Sequence, residues 1–209
     1  MPILEIVIRQ LKIYGFQRIT LAVGYLADLI RAYFQDGSKW GVSIEYSYEK
    51  SPLGTAGPLA LIDDLNETFL VMNADVLTNI DYNALLGFHR KSGGIATICA
   101  CEREVKIDLG IIITDGDGTI KDYLEKPTTR HLVSMGIYIF EPQVRDFIIP
   151  DTYLDFPDLV KLFLQANLRV KYFPFSGFWL DIGRHEDYAR VVVEFETPKA
   201  GFLPEIARH

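Results

Sequence analysis

The amino-acid sequence predicts an α/β fold in which a doubly wound, mostly parallel sheet carries a small β-rich lobe. Strand-like and helix-like segments alternate up to Lys91, which is typical of parallel sheets with helical crossovers. Closely spaced strands follow and predict the smaller lobe. The 209 residues, at the roughly 150 typical of a domain, allow one domain with an appended lobe. The 49% hydrophobic and 23% charged residues exclude a disordered or collagen-like chain.

The first half of the chain contains the alternating elements. Apolar residues recur at helical spacing after Pro2, which suits a first helical position, and Gly15 suits the helix end. The segment Thr68–Asn73 is nearly all apolar, as a buried parallel strand is. The predicted elements are, in order, a helix at Ile3–Leu11, a strand at Arg18–Gly24, a helix at Leu26–Phe34, and strands at Val42–Tyr48 and Thr68–Asn73.

The second half is richer in strands. The D-G-D-G sequence at Asp115–Gly118 is typical of a hairpin turn. We expect residues 1–196 to form one domain and residues 197–209, which lack periodicity, to form a loose tail. The predicted elements are, in order, a helix at Tyr82–Lys91, strands at Ile95–Cys101, Leu109–Thr114, Ile120–Glu125 and Leu132–Phe140, a helix at Phe156–Gln165, a strand at Arg169–Phe173 and a helix at Glu186–Glu196.

The charge and the apolar runs exclude several classes of protein. Lys and Arg number 21 against 28 Asp and Glu, and the net charge of −7 argues against nucleic acid as the main partner. No apolar run is long enough to cross a membrane and no signal-peptide pattern opens the chain, so a cytoplasmic protein is expected. Cys99 and Cys101 lie on one face of a strand, where a disulfide is geometrically poor, and are interpreted as buried thiols.

Two aspartates that follow predicted strands are candidates for a cation site. Asp75 follows the most apolar strand, and Asp181 lies between a strand end and Gly183. Ligands of open α/β sheets collect at the carboxyl ends of strands, and Mg²⁺ takes one or two carboxylates together with substrate phosphates. Two acids brought together there would repel unless a cation or a proton lay between them. Alternatively, Asp75 caps a turn and Asp181 prepares the N-terminus of the last helix.

Two further segments are candidates for anion or sugar binding. In Glu49–Pro58, proline and glycine define a turn whose N–H groups can face a base edge or a phosphate. In Glu125-Lys126-Pro127, Lys126 can contact a phosphate as a point charge while Glu125 accepts bonds from sugar hydroxyls. Each also has an ordinary interpretation, as a structural turn and as a surface ion pair.

The order of these segments resembles a known family. P-L-G-T-A-G at Pro52–Gly57 precedes N-A-D at Asn73–Asp75, E-K-P after a hairpin, G-I-Y at Gly136–Tyr138 and W-L-D-I-G-R at Trp179–Arg184. This order is similar to that of the sugar-1-phosphate nucleotidyltransferases, or nucleotide-diphospho-sugar pyrophosphorylases, over nearly the whole chain. Together with Tyr153–Asp158, these motifs look most like the mannose-1-phosphate or glucosamine-1-phosphate guanylyltransferase branch.

The resemblance implies a Rossmann-like fold with a sugar-binding lobe, and it implies roles for individual residues. Family members often have Asn before the G-I-Y sequence, whereas this chain has Ser134-Met135 there. The residues implied for the nucleotide are Leu53, Gly54, Thr55 and Asp75; those for the hexose 1-phosphate are Gly110, Glu125, Lys126 and Gly136; those for Mg²⁺ are Asp75 and Asp181; and those for catalysis are Asp75, Lys126 and Asp181.

The sequence departs from the family pattern at its start. The family's first strand and its G-x-G-T-R-L loop, followed by P-K-P, would lie immediately upstream of Pro2, where only Met1 stands. We therefore expect a domain that is truncated relative to the family, with weak or no turnover by itself. An unpaired apolar strand would favour self-association, so a homodimer is expected.

The implied reaction transfers a nucleoside monophosphate from a nucleoside triphosphate to a hexose 1-phosphate and releases pyrophosphate. Guanosine triphosphate is favoured by branch resemblance alone. One alternative is a non-catalytic module that binds a hexose phosphate or acts in regulation. Another is a metal-dependent glycosyltransferase, which Glu125-Lys126-Pro127 argues against because a diphosphate donor needs no separate monophosphate site.

Overall fold

The computed structural model describes residues 2–183 of the chain. The helix expected at Glu186–Glu196, the tail, and Arg184 lie outside the described residues. The helices are α1 (Ile3–Ile13), α2 (Ala27–Phe34), α3 (Tyr82–Ser92) and α4 (Phe156–Gln165). The strands are β1 (Arg18–Val23), β2 (Ser43–Tyr48), β3 (Phe69–Met72), β4 (Val76–Thr78), β5 (Ala96–Lys106), β6 (Ile111–Thr114), β7 (Ile120–Leu124), β8 (Thr128–Phe140), β9 (Val170–Pro174) and β10 (Trp179–Asp181).

The α/β class and the predicted helices of the described part are confirmed. Strand pairing is mixed rather than mostly parallel: β1–β2 and β5–β9 are parallel, whereas β3–β8, β5–β8, β6–β7 and β4–β10 are antiparallel. The expectation of a buried parallel strand at Thr68–Asn73 is wrong, because β3 is half-buried and pairs with β8 in antiparallel register. An apolar run indicates contact on both faces but not the direction of its neighbour.

The central sheet has the order β3-β8-β5-β9 and is covered on both faces. Alternate residues of β8 point to opposite sides, as the pleat requires. Tyr138 and Phe140 pack with Phe156 and Phe163 of α4. On the opposite face, Met135, Ile137 and Ile139 pack with residues of α1 and α3. The three-layer arrangement follows from the apolar faces of these helices.

Two short strands, β4 and β10, form a pair of their own beside α1. The strand end near Asp181 agrees with the prediction from the sequence, whereas β4 was not predicted. Three residues are too few to show a periodicity, although Val76, Leu77 and Thr78 are all buried. Gln10 of α1 donates through Nε2 to the carbonyl of Thr78 at 2.8 Å, which anchors this pair to the helix.

The predicted hairpin is confirmed as the β6–β7 ribbon, with Gly116 and Gly118 at φ values of 96° and 98° in its turn. All five residues of β7 are exposed. Elsewhere, Cys99 is buried and Cys101 half-buried, and both are free thiols, as expected. No helix within residues 2–183 is both long and apolar enough to cross a membrane.

Candidate active site

The two candidate metal-binding aspartates lie side by side at the edge of the β4–β10 pair. Asp181 is the register partner of Val76, so Asp75 lies next to the end of β10. The amide of Ile182 donates to the carbonyl oxygen of Asp75 at 3.0 Å. The amide of Gly183 donates to Oδ1 of Asp181 at 3.2 Å. Backbone pairing between segments about a hundred residues apart therefore brings the two carboxyl groups to one place.

Gly183 leaves the space between the two carboxylates open. A Cβ at this position would lie 2.8 Å from Oδ2 of Asp75 and 3.3 Å from Oδ1 of Asp181. Burial, reinforced by the negative charge of Asp181, raises the pKa of Asp75 above its usual value. Two carboxylates that border one open space are arranged to receive a positive charge.

The chemistry of this pair fits a hard divalent cation. No third acidic, histidine or cysteine side chain joins them to make a larger cluster within residues 2–183. Mg²⁺ is commonly held by one or two carboxylates, with the remaining positions filled by substrate phosphates and water. Two carboxylates of this kind could hold such an ion together with a phosphorylated ligand.

Gly136 contacts Asn73, two residues before Asp75. It is buried in β8 with φ of 72°, and its carbonyl accepts a bond from the amide of Asn73 at 2.9 Å. A Cβ on Gly136 would lie 2.8 Å from Nδ2 of Asn73. The glycine therefore lets the Asn73 side chain pack directly on the strand, two residues before Asp75. The structure gives Gly136 this packing contact, and its expected contact with the sugar stays a prediction.

The Leu53-Gly54-Thr55 turn is tied to a distant loop. Gly54 has φ of 78°, and a Cβ there would lie 2.6 Å from the carbonyl oxygen of Leu154. The side chain of Leu53 is buried, and its amide donates to Oε2 of Glu49 at 2.8 Å. Glycine is required here by both its conformation and its close contact.

Thr55 forms hydrogen bonds with residues that the sequence of the turn does not predict. Its amide and hydroxyl both donate to Oδ1 of Asp155, at 2.9 and 3.1 Å. Its Oγ1 accepts the amide of Phe156 at 2.9 Å, and the Tyr153 hydroxyl donates to Oδ2 of Asp155 at 2.8 Å. Asp155 belongs to a segment noted only for its family resemblance. An Asp directly before a predicted helix is typical of an N-cap, and nothing local points to a partner one hundred residues away.

The residues expected to bind the sugar phosphate lie on or beside the exposed ribbon. Glu125 and Lys126 follow β7 and are exposed, and Lys126 has φ of 45°. Within residues 2–183 neither side chain forms a hydrogen bond or an ion pair with another candidate site residue. Gly110 precedes β6, and the hydroxyl of Tyr123 occupies the space that a side chain at Gly110 would need. The structure thus brings the two aspartates together and ties the Leu53-Gly54-Thr55 turn to the Leu154-Asp155 segment, whereas within residues 2–183 neither Glu125 nor Lys126 is bonded to these groups.

Comparison with known proteins identifies the family. The model of a family described as nucleotidyl transferase matches residues 1–197. A UTP–glucose-1-phosphate uridylyltransferase of Synechocystis is 33% identical over 91% of this chain and 54% of its own length. A mannose-1-phosphate guanylyltransferase catalytic subunit beta of Drosophila pseudoobscura is 34% identical over 90% of this chain and 52% of its own. The chain thus spans about half the length of these relatives.

Solved structures show the same fold. HddC from Yersinia pseudotuberculosis superposes with a TM-score of 0.68 at 22% identity, covering 92% of this chain and 84% of that one. The same protein complexed with GMP-PN also gives a TM-score of 0.68. The motif order, the family match and the relatives above 30% identity agree, and the chain belongs to the nucleotidyl transferase family.

Proposed function

We propose that this chain carries the site for transfer of a nucleoside monophosphate from a nucleoside triphosphate to a hexose 1-phosphate. The products are a nucleotide-diphospho-sugar and pyrophosphate. The observation that carries the proposal is the convergence of Asp75 and Asp181 on the open space at Gly183. Family membership supports the same reaction class.

The reaction is a single displacement at phosphorus. An oxygen of the sugar phosphate bonds to the α-phosphorus, and the bond from that phosphorus to the bridging oxygen of the β-phosphate breaks, so that pyrophosphate leaves with its electron pair. A phosphate monoester has a second pKa near ~6 and is already largely anionic at neutral pH, so no general base is needed. Catalysis then consists of positioning the reactants and reducing repulsion between anions.

Asp75 and Asp181 would hold Mg²⁺ against the phosphates of the nucleotide. Bound there, the ion supplies charge neutralisation for the α-phosphate and the leaving pyrophosphate. The carboxylates themselves orient the site: the amide of Gly183 holds Oδ1 of Asp181 in place, and the partly buried Asp75 faces it. A cation held there would also offset the negative charge of Asp181, which adds to the effect of burial in raising the pKa of Asp75.

The other site residues divide between the two substrates. The Leu53-Gly54-Thr55 turn presents backbone groups to the nucleobase, and Gly110, Glu125, Lys126 and Gly136 serve the hexose 1-phosphate. The charge of Lys126 aligns the attacking phosphate. Guanine is the favoured base because several similar proteins are named mannose-1-phosphate guanylyltransferases, whereas the Synechocystis relative is named for uridylyl transfer.

Calorimetry and a pyrophosphate-release assay test the proposal together. The full chain is titrated with guanosine and uridine triphosphates in the presence of Mg²⁺, and with mannose and glucose 1-phosphates. Release of pyrophosphate that requires both substrates supports the transferase. Sugar-phosphate binding with neither turnover nor Mg²⁺-dependent triphosphate binding supports the alternative of a non-catalytic module, and cleavage of an added nucleotide sugar would favour a glycosyltransferase.

Three accompanying expectations stay predictions. Slow turnover by this chain alone is measured in the same assay. Self-association is measured by light scattering at high protein concentration, where a monodisperse monomer would contradict it. A cytoplasmic location is checked by fractionating cells that produce the protein.

A further inference from the structure

The loop that begins α4 and the turn expected to meet the nucleobase exchange their polar groups. Asp155 occupies the N-cap position of α4 but makes no side-chain bond to its own helix. Its carboxylate instead accepts the amide and the hydroxyl of Thr55. In return, Oγ1 of Thr55 accepts the amide of Phe156, the first residue of α4. An N-cap residue normally satisfies its own helix, so this exchange couples two segments that are one hundred residues apart.

Leu154 completes the attachment through its backbone. Its carbonyl accepts the amides of Ala56 and Gly57 at 2.9 and 3.0 Å, and its own amide donates to the carbonyl of Leu53 at 2.9 Å. Gly54 permits this contact, because any larger residue would collide with the Leu154 carbonyl and with Oδ1 of Asp155. The turn is therefore held by three backbone hydrogen bonds to Leu154 and by the bonds to Asp155.

These bonds account for nearly every amide of the turn. The amides of Leu53, Thr55, Ala56 and Gly57 donate to Glu49, Asp155 and Leu154. In the part of the chain that the structure describes, the Gly54 amide alone among these five has no protein acceptor. Such an amide on a held turn is ready to donate to an oxygen on a base edge, such as O6 of guanine.

We propose that Asp155 is a positioning residue for nucleobase recognition, acting through Thr55 to hold the turn that presents the Gly54 amide. The inference rests on the proposed function for the identity of the ligand. Asp155 need not touch the nucleotide: it determines where the turn lies. It also links the turn to the hydrophobic core, since Phe156 stacks on Tyr138 with ring centroids 4.5 Å apart.

Replacement of Asp155 tests the inference through a split between the two substrates. In Asp155→Ala we expect the dissociation constant for guanosine triphosphate to rise about tenfold to a hundredfold, as for other supporting residues. The constant for mannose 1-phosphate should stay within about twofold, since Asp155 contacts none of the residues expected to bind it. Asp155→Asn is the conservative rescue, because an amide oxygen can still accept both bonds from Thr55.

Asp158→Ala is the matched control. Asp158 lies one turn later on α4, is exposed and, among residues 2–183, forms a salt bridge with Lys161 alone at 2.8 Å, so both affinities should be unchanged. Thr55→Val is the second variant, which keeps the test valid should Asp155→Ala not fold. It removes the two bonds of the Thr55 hydroxyl, to Asp155 and from the Phe156 amide, while the bond from its own amide to Asp155 remains, and it should weaken only triphosphate binding.

The outcomes separate the inference from the proposed function. No triphosphate binding by the unsubstituted chain would overturn both. Binding by the unsubstituted chain that Asp155→Ala and Thr55→Val leave unchanged would overturn the inference alone. Equal weakening of both substrates would also overturn it, because that is the signature of a general loss of structure.

Discussion

The two halves of the proposed site differ in how firmly the fold holds them. On the nucleotide side, Asp75, Asp181 and the Leu53-Gly54-Thr55 turn are joined to distant segments by backbone hydrogen bonds. On the sugar-phosphate side, Glu125 and Lys126 stand exposed beside the ribbon, near residues such as Leu109, which is 73% exposed.

This difference indicates for which substrate the binding affinity depends on groups that the fold has already oriented. Groups that are already oriented bind without a further loss of conformational freedom, whereas an exposed lysine loses side-chain entropy when it binds phosphate. Substitutions on the nucleotide side should therefore alter binding together with stability. Substitutions of the exposed Glu125 and Lys126 should alter binding alone.

The largest effect is expected from the carboxylate pair. In Asp181→Asn the site loses half of its charge toward the cation, and we expect the Mg²⁺-dependent affinity for guanosine triphosphate to fall about a hundred- to a thousandfold. The exposed Asp63→Asn serves as the matched control and should retain full affinity. Retention of Mg²⁺-dependent triphosphate binding by Asp181→Asn would contradict the assignment of the nucleotide side.

Ionisation of Asp75 should also make the stability of the protein depend on pH. The folded-state pKa of Asp75 is raised, so the folded protein binds this proton more tightly than the unfolded chain does, and the ionised carboxylate opposes folding above that pKa. Without divalent ions, Asp75→Asn should therefore increase the melting temperature at neutral pH. Mg²⁺ with the triphosphate should stabilise the unsubstituted protein but not this variant. A lower melting temperature for Asp75→Asn would contradict the like-charge interpretation.

Gly183→Ala probes the space between the carboxylates without altering their charge. The added methyl group would lie in contact with both side chains, and we expect triphosphate binding to weaken about tenfold to a hundredfold because the pair is displaced. Gly87→Ala, in α3, meets no atom within 4 Å and is the control. Equal triphosphate affinity in the two variants would show that the ligand does not need this space.

Lys126→Gln tests the exposed side. Loss of one charge-assisted contact should weaken hexose 1-phosphate binding about tenfold. The melting temperature should not change, since within residues 2–183 the Lys126 side chain has no ion pair to lose. Lys121→Gln, on the same ribbon, is the control for a general charge effect. A substantial fall in the melting temperature of Lys126→Gln would contradict the expectation that Lys126 contributes to binding but not to stability.

The smallest effect is expected from Glu5 in α1, the helix that packs against β4. Glu5 is 6% exposed; bonds from the Tyr33 hydroxyl and from Arg9 hold its pKa at about 2, against 4.5 ordinarily. The resulting stabilisation is complete above pH 4.5 and is lost as the pH falls toward 2. Glu5→Gln should lower the free energy of unfolding by about 1–3 kcal/mol at pH 7 and less at pH 3, measured by urea denaturation. The exposed Glu45→Gln should change neither value.

The sequence predicted the elements well where periodicity was long enough. Helices α1, α3 and α4 carry apolar residues at helical spacing over ten or eleven residues, and all three were found at nearly the expected bounds. Strand β4 was missed because three residues carry no periodic signal, and the neighbours of β3 were misjudged because an apolar run does not specify pairing direction.

By itself, the sequence determined the chemical character of the site: the acids after strands, the glycine turn and the basic residue after the ribbon follow from residue types and their order. Only the tertiary structure decided which groups meet. Antiparallel pairing of β4 with β10 brings Asp75 beside Asp181. Hydrogen bonds join Asp155 to Thr55, one hundred residues away in the chain, and no local sequence pattern predicts this contact. Hydrogen-bond partners distant in the chain depend on how strands pair and helices pack, and that information is spread over the whole core.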